Sequence, residues 1–278
     1  MQLSLAFSPC PNDTYIFDAM VHHRVDTEGL TFDIKLADVE QLNRMVVSGG
    51  PDISKISYGL LPRVLSHYRV LDAGGALGRG VGPLLVAARE KRMEDSGLET
   101  LRIALPGQHT TAHMLFSLAF PQARGKIFMP FHEIEQAVLN GTVDAGVIIH
   151  ENRFTYADKG LFKWADLGQF WEEHTGNPIP LGGIVMRRDI PTDIMRKVDR
   201  VIRRSLEYAR AHDPELPEYV RANAQEMDPE VMRKHISLYV NDFSLTLGSE
   251  GRAAVWKMLE VASMFTPAPA NNAVEVFL

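Results

Sequence analysis

The chain has 278 residues, of which 45% are hydrophobic and 23% charged, with a formal net charge of −6. That length and composition suit one large or two smaller globular domains, with a core that needs neither metal nor disulfide. No run of Lys or Arg forms a basic stripe, which excludes nucleic acid as a partner; the longest apolar runs fall well short of the roughly 20 residues of a membrane span; and a single cysteine, Cys10, rules out an internal disulfide and, by itself, a zinc site.

Strand and helix signals alternate from the first residues. The opening MQLSLAFSPCPNDTY lacks the basic segment and long apolar core of a secretory signal, so a cytoplasmic protein is expected. Leu3–Phe7 reads as an apolar strand, and Asn12 or Asp13 as the cap of a helix reaching about Val21. Thr31–Leu36 alternates apolar and polar residues, as a half-buried strand does. Asp38 with Gln41 resembles a capping box for a helix to about Val47, ended by Gly49 and Gly50. A short strand at Asp52–Ile56, a helix to about His67 and a strand near Val70–Leu71 complete a β-α-β-α-β pattern, which predicts a mainly parallel sheet.

Glycines crowd the segment from Gly74 to Gly82. Pro83–Ala88 reads as a strand and Arg89–Ser96 as a surface connection. Then the pattern restarts: strand Leu101–Leu105, a helix from Thr110, strand Ile127–Met129, helix His132–Leu139 and strand Ala145–Ile149. Ile179–Met186 is a strand with two central glycines. Pro191 opens a helix to about Ala211, followed by helices near Pro214–Ala224, Asp228–Val240 and Glu250–Ser263, and the irregular stretch TPAPANN. No repeat of solenoid length is present.

This order predicts two α/β lobes: residues 1–90 with 185–278, and residues 91–184. The strands Pro83–Ala88 and Ile179–Met186 would form a hinge, with a ligand cleft between the lobes. Several polar groups stand at the carboxyl ends of strands, where open α/β sheets bind ligands. His150 ends a strand, with Glu151 and Arg153 beside it. Arg153 would pair with a substrate carboxylate or with Glu151. Asn12 follows the first strand and either caps a helix or faces ligand. Thr110 and Thr111 open a helix, where free backbone N–H groups make an anion site. Cys10 reads as a small structural residue, His22 and His23 as surface residues without metal-ligand spacing, and Gly80 and Gly82 as backbone of a hinge or cleft wall.

Five segments in this order carry a resemblance: SPCPNDTYIF (Ser8–Phe17), GRGVGPLL (Gly78–Leu85), HTTAH (His109–His113), DAGVIIHENRFTY (Asp144–Tyr156) and PLGGI (Pro180–Ile184). Together they resemble the 1,4-dihydroxy-6-naphthoate synthase family, enzymes of the futalosine route to menaquinone. The likeness runs from residue 2 to about residue 190, and the helical remainder agrees in character only.

The resemblance implies a type II periplasmic-binding-protein-like fold adapted to catalysis in the cytoplasm. It implies cleavage of cyclic dehypoxanthine futalosine, an aromatic carboxylate, without a metal or organic cofactor. By the same resemblance His150 is the proton acceptor, and Lys55, Ile56, Ser57, Thr110 and Thr111 bind substrate. Two rivals share the fold: chorismate dehydratase of the same pathway, and a non-catalytic solute-binding protein for an aromatic acid. The oligomeric state is left open.

Overall fold

A computed structural model describes residues 1–92, 98–212, 216–224, 228–265 and 275–278. The chain forms two compact units, Met1–Gly78 with Pro180–Leu278, and Arg79–Ile179. The expected helix start at Pro214, the stretch TPAPANN and the end of the connection Arg89–Ser96 lie outside the described residues.

The first unit opens with β1 (Gln2–Phe7), α1 (Pro11–Val21), β2 (Thr31–Leu36), α2 (Val39–Val47) and β3 (Ile53–Ser57). β1 runs between β2 and β3, parallel to both. Asp38 caps α2 as its spacing predicts, accepting from the N–H groups of Glu40 and Gln41. A 3-10 turn, Tyr58–Leu60, precedes the short α3 (Leu61–Val64), so the helix expected to reach His67 stops early. β4 (Tyr68–Val70) follows, and then β5 (Ala76–Gly78), which lies inside the glycine-rich segment. Only the buried pair Ala76–Leu77 marks that strand, and the glycines around it hide the signal.

The second unit contains β6 (Leu84–Ala87), β7 (Arg102–Leu105), α4 (Thr111–Ala119), β8 (Gly125–Phe128), α5 (Ile134–Leu139), β9 (Ala145–Ile148), α6 (Asn152–Thr155), β10 (Phe162–Asp166) and α7 (Leu167–Thr175). Its sheet order is β10-β6-β9-β7-β8. β7 is parallel to β8 and β9, whereas β6 runs antiparallel to β9 and β10. The core gathers Leu84, Val86, Ala104, Ile134, Val138, Val143, Ile148 and Leu161.

The chain then enters β11 (Ile179–Arg187), α8 (Thr192–Ala211), α9 (Glu218–Asn223), α10 (Pro229–Tyr239), α11 (Asp242–Leu245) and α12 (Gly248–Ser263). β11 joins the first sheet, in the order β2-β1-β3-β11-β4 with β5 also on β11. It runs antiparallel to β3 and β4. Each sheet is therefore mixed, because a strand that returns after an excursion pairs antiparallel with its neighbours. The sequence pattern placed the divisions after residues 90 and 184. The chain instead divides after Gly78 and Ile179, because β6 is hydrogen-bonded on both sides within the second sheet.

α8 shows why the first unit holds together. Met195, Val198, Val201, Ile202, Leu206 and Ala209 recur at helical spacing and are buried. They join Leu3, Leu5, Phe7, Ile16, Phe17, Met20, Ile53, Ile184 and Met186 in one core. α1 packs against α8, α9 and α10, and its residues Pro11–Met20 are all buried. Among the described residues no helix is long and apolar enough to cross a membrane.

Candidate functional site

Two sets of polar residues stand out, one in each unit. In the first unit they lie at the carboxyl ends of the parallel strands β1 and β3. The expected cap of α1 by Asn12 or Asp13 is not what forms: Cys10 holds the cap position, its side chain does not cap the first turn, and Pro11 opens the helix. Proline suits that position, since its φ is preset and its missing N–H is not needed there.

Asp13 turns to other partners. One carboxylate oxygen accepts from the Ser8 backbone N–H at 3.2 Å and from Ser8 Oγ at 2.7 Å. The other accepts from Asn12 Nδ2 at 2.8 Å and pairs with Lys55 Nζ at 3.0 Å. Lys55 Nζ also donates to the Gly74 carbonyl at 3.0 Å. Asn12 Oδ1 meets His235 Nε2 of α10 at 2.8 Å. Asn12, Asp13, Lys55 and His235 are all buried.

Lys55 and Ser57 share one face of β3, because side chains alternate along a strand. The Ser57 N–H donates to Asn43 Oδ1 at 2.9 Å, and its Oγ accepts from Asn43 Nδ2 at 3.0 Å. Ile56, on the other face, is fully buried and pairs with Gly183 of β11. The two glycines of PLGGI have a steric reason. A Cβ at Gly182 would stand 2.7 Å from the Ile56 carbonyl oxygen, and one at Gly183 would enter the Tyr58 ring. Burial pushes the Tyr58 phenol well above its ordinary pKa, so it stays neutral.

In the second unit, β9 ends at Ile148 and His150 follows in a left-handed backbone conformation, φ 58°. The side chain is thus aimed by a kink after the strand, not by the strand's own alternation. Left-handed geometry in a residue with a Cβ costs energy and recurs where function demands it. The imidazole packs on Phe131, with centroids 4.7 Å apart. Glu151 is the N-cap of α6 and is buried. Arg153 donates to the Gly82 carbonyl and pairs with Asp166 at 3.0 Å. Asp166 also caps α7, so Arg153 ties α6 to the start of α7.

Thr110 is the N-cap of α4: its Oγ1 accepts from the His113 N–H at 3.2 Å and donates to the Gly107 carbonyl at 2.9 Å. Thr111 begins the helix and is buried. The first turn of α4 carries no acidic residue, so its dipole favours an anion there. Gly82, expected in a hinge or cleft wall, lies against the backbone of Gly168 at the start of α7, where a Cβ on either glycine would collide with the other.

Two residues with evident roles were not anticipated. His235 sits in the buried stripe Met232, His235, Ile236 and Tyr239 of α10, and a polar residue within an apolar stripe is a signal the sequence does carry. Phe131 is one apolar residue among many, and nothing in the sequence singles it out.

Residues 3–264 match the menaquinone biosynthesis family. The chain is 46% identical over 270 residues to 1,4-dihydroxy-6-naphthoate synthase of Thermus thermophilus, covering 96% of this chain and 97% of that one. A crystal structure of a protein from Archaeoglobus fulgidus is similar with a TM-score of 0.89 at 35% identity, covering 95% of this chain and 97% of that one. The periplasmic aliphatic sulphonate binding protein of Escherichia coli matches with a TM-score of 0.66 at 10% identity, covering 99% and 90%, a likeness of fold alone. The fold is thus of the type II periplasmic-binding-protein-like class.

Proposed function

The chain belongs to the menaquinone biosynthesis family, and we propose that it is a carbon–carbon lyase, a 1,4-dihydroxy-6-naphthoate synthase that cleaves cyclic dehypoxanthine futalosine in the cytoplasm. The observation that carries this reading is the full-length kinship with the Thermus thermophilus synthase. The local geometry supports it through His150, a histidine in a strained conformation with its ring packed on Phe131.

His150 is the general base. A fragmentation that creates an aromatic ring starts with removal of a proton, and a share of any ordinary imidazole is neutral near pH 7 and able to take it. A well-placed base contributes about 10²–10⁴ in rate. Aromatisation supplies the downhill drive, so the protein's task is to start the cascade and hold the carbon skeleton. The start of α4, with Thr110 and Thr111, holds the substrate's carboxylate through backbone N–H groups and the helix dipole. Lys55 donates to a substrate oxygen, and Ser57 lines the same face of β3. Arg153, held by Asp166 and Gly82, serves by fixing α6 just after His150.

The test is turnover of cyclic dehypoxanthine futalosine by the wild type and by His150→Ala, with chromatography of the naphthoate. The expected result is product from the wild type and a loss of at least about 10²-fold in the variant. Equal rates would move the base elsewhere. No product from folded wild type would favour the sister dehydratase or a binding protein.

A further inference from the structure

We propose that His235 is a positioning residue: through Asn12 and Asp13 it sets where the Lys55 ammonium stands and which way its remaining N–H points. The inference builds on the reading of Lys55 as a substrate contact and adds a device that acts through it.

The direction of the hydrogen bonds follows from chemistry. A carboxylate only accepts, so the edge of the Asn12 amide facing Asp13 is Nδ2. Oδ1 therefore faces His235, and an acceptor there requires a proton on His235 Nε2. The chain runs from His235 N–H to the Asn12 carbonyl, from the Asn12 amide N–H to Asp13, and from Lys55 N–H to the same Asp13 oxygen. The His235–Asn12 and Asn12–Asp13 bonds run head to tail and polarise one another, and Asn12 and Lys55 share one acceptor oxygen, so the direction of one bond constrains that of the other.

Asp13 is gripped from both sides, with Ser8 on one oxygen and Asn12 and Lys55 on the other. It cannot turn without breaking several buried contacts. Lys55 has three N–H groups, and two of them are spent on Asp13 and Gly74. The third is the donor available to a ligand, and its direction is fixed by the other two.

Stability does not account for this arrangement. Replacing a buried ion pair by apolar side chains is often neutral or stabilising, so a fold gains little by keeping one. A histidine inside the apolar stripe of α10 adds to that desolvation cost. Place does account for it: the row lies at the carboxyl ends of parallel β1 and β3, where open α/β sheets bind ligands. The anchor of the row stands on α10, which packs against α1, so a helix and not a loop holds it.

The test uses the full chain and compares His235→Phe, His235→Gln, Asn12→Ala, Lys55→Met and the double variant Lys55→Met with His235→Phe. Phenylalanine keeps the ring and loses the donor; glutamine restores a donor. With cyclic dehypoxanthine futalosine, KM rises about 10-fold or more in His235→Phe, returns to within about threefold in His235→Gln, and changes less than about twofold when His235→Phe is added to Lys55→Met. If His235→Phe does not fold, Asn12→Ala breaks the same row and is read the same way.

Effects that multiply in the double variant, or a glutamine variant as damaged as the phenylalanine one, overturn the proposal. A second readout needs no turnover. The ammonium resonance of Lys55 in ¹⁵N-labelled protein, assigned by its loss in Lys55→Met, should move in His235→Phe and Asn12→Ala and hold in His235→Gln; an unmoved resonance overturns the proposal. Should the wild type not cleave the substrate, the functional reading falls, and the resonance alone decides this one.

Discussion

The imidazole of His150 lies against the ring of Phe131, with centroids 4.7 Å apart and planes inclined by 53°. Phe131 is buried and begins the 3-10 turn ahead of α5, so it is a firm wall for the ring of the proposed base. A misplaced catalytic group loses rate without losing substrate affinity. We expect Phe131→Ala to lower kcat about 10-fold with KM little changed. Steady-state kinetics checks this, and a rise in KM alone would count against the wall.

The left-handed backbone of His150 leads to a second expectation. A Cβ in that conformation costs about 1–2 kcal/mol relative to glycine. His150→Gly and His150→Ala should both lose activity by about 10²-fold or more. They should differ in stability, with the glycine variant about 1 kcal/mol the more stable. Urea unfolding of the pair gives the difference directly, and equal midpoints would mean that the kink carries no strain.

Gly183 and Gly80 make a contrast. A Cβ at Gly183 meets the buried Tyr58 ring, whereas at Gly80 it meets open space but a φ of +69°. Gly183→Ala should cost about 2 kcal/mol or more by overpacking, and Gly80→Ala about 1 kcal/mol from backbone strain. Thermal unfolding ranks the two, and the reverse order would refute the steric reading of the PLGGI motif.

Acid should act visibly at Glu28. The Arg200 guanidinium, backed by Arg204 and opposed by partial desolvation, holds its carboxyl down at about 2, from an ordinary 4.5. A lowered folded value stabilises above the unfolded one, and that contribution is lost as pH falls through the folded value. The stability gap between wild type and Glu28→Gln should therefore be full above about pH 4.5 and close toward pH 2. Denaturant midpoints measured across that range check it; a gap that does not change would break the link to Arg200.

The β-α-β-α-β opening and its counterpart in the second unit were legible because apolar periodicity marks each element. Thr31–Leu36 and the Asp38 cap emerge where the sequence pattern places them. β10 and α7 left no comparable trace. β10 is an edge strand with Phe162 exposed, so its pattern is not one of burial. At the candidate site, single positions were readable but partnerships were not. Asn12 and Lys55 are far apart in sequence from His235 of α10, and only the packing of α10 on α1 makes one row of them. The αL turn at His150 was not read from the sequence either, although histidine is among the residues that favour that conformation.

The second unit is one unbroken stretch, Arg79–Ile179, while the first is assembled from both sides of it. This gives the nascent chain an order of events. At the usual translation rates, about 5–20 s separate the emergence of β5 from that of β11. During that interval the stretch that will pair β3 with β11 has no partner, and the apolar face that α8 will cover is bare. The inserted unit has all its own strands by then and is free to fold. The segment Met1–Gly78 must wait for β11 and α8 before its sheet and its core are complete.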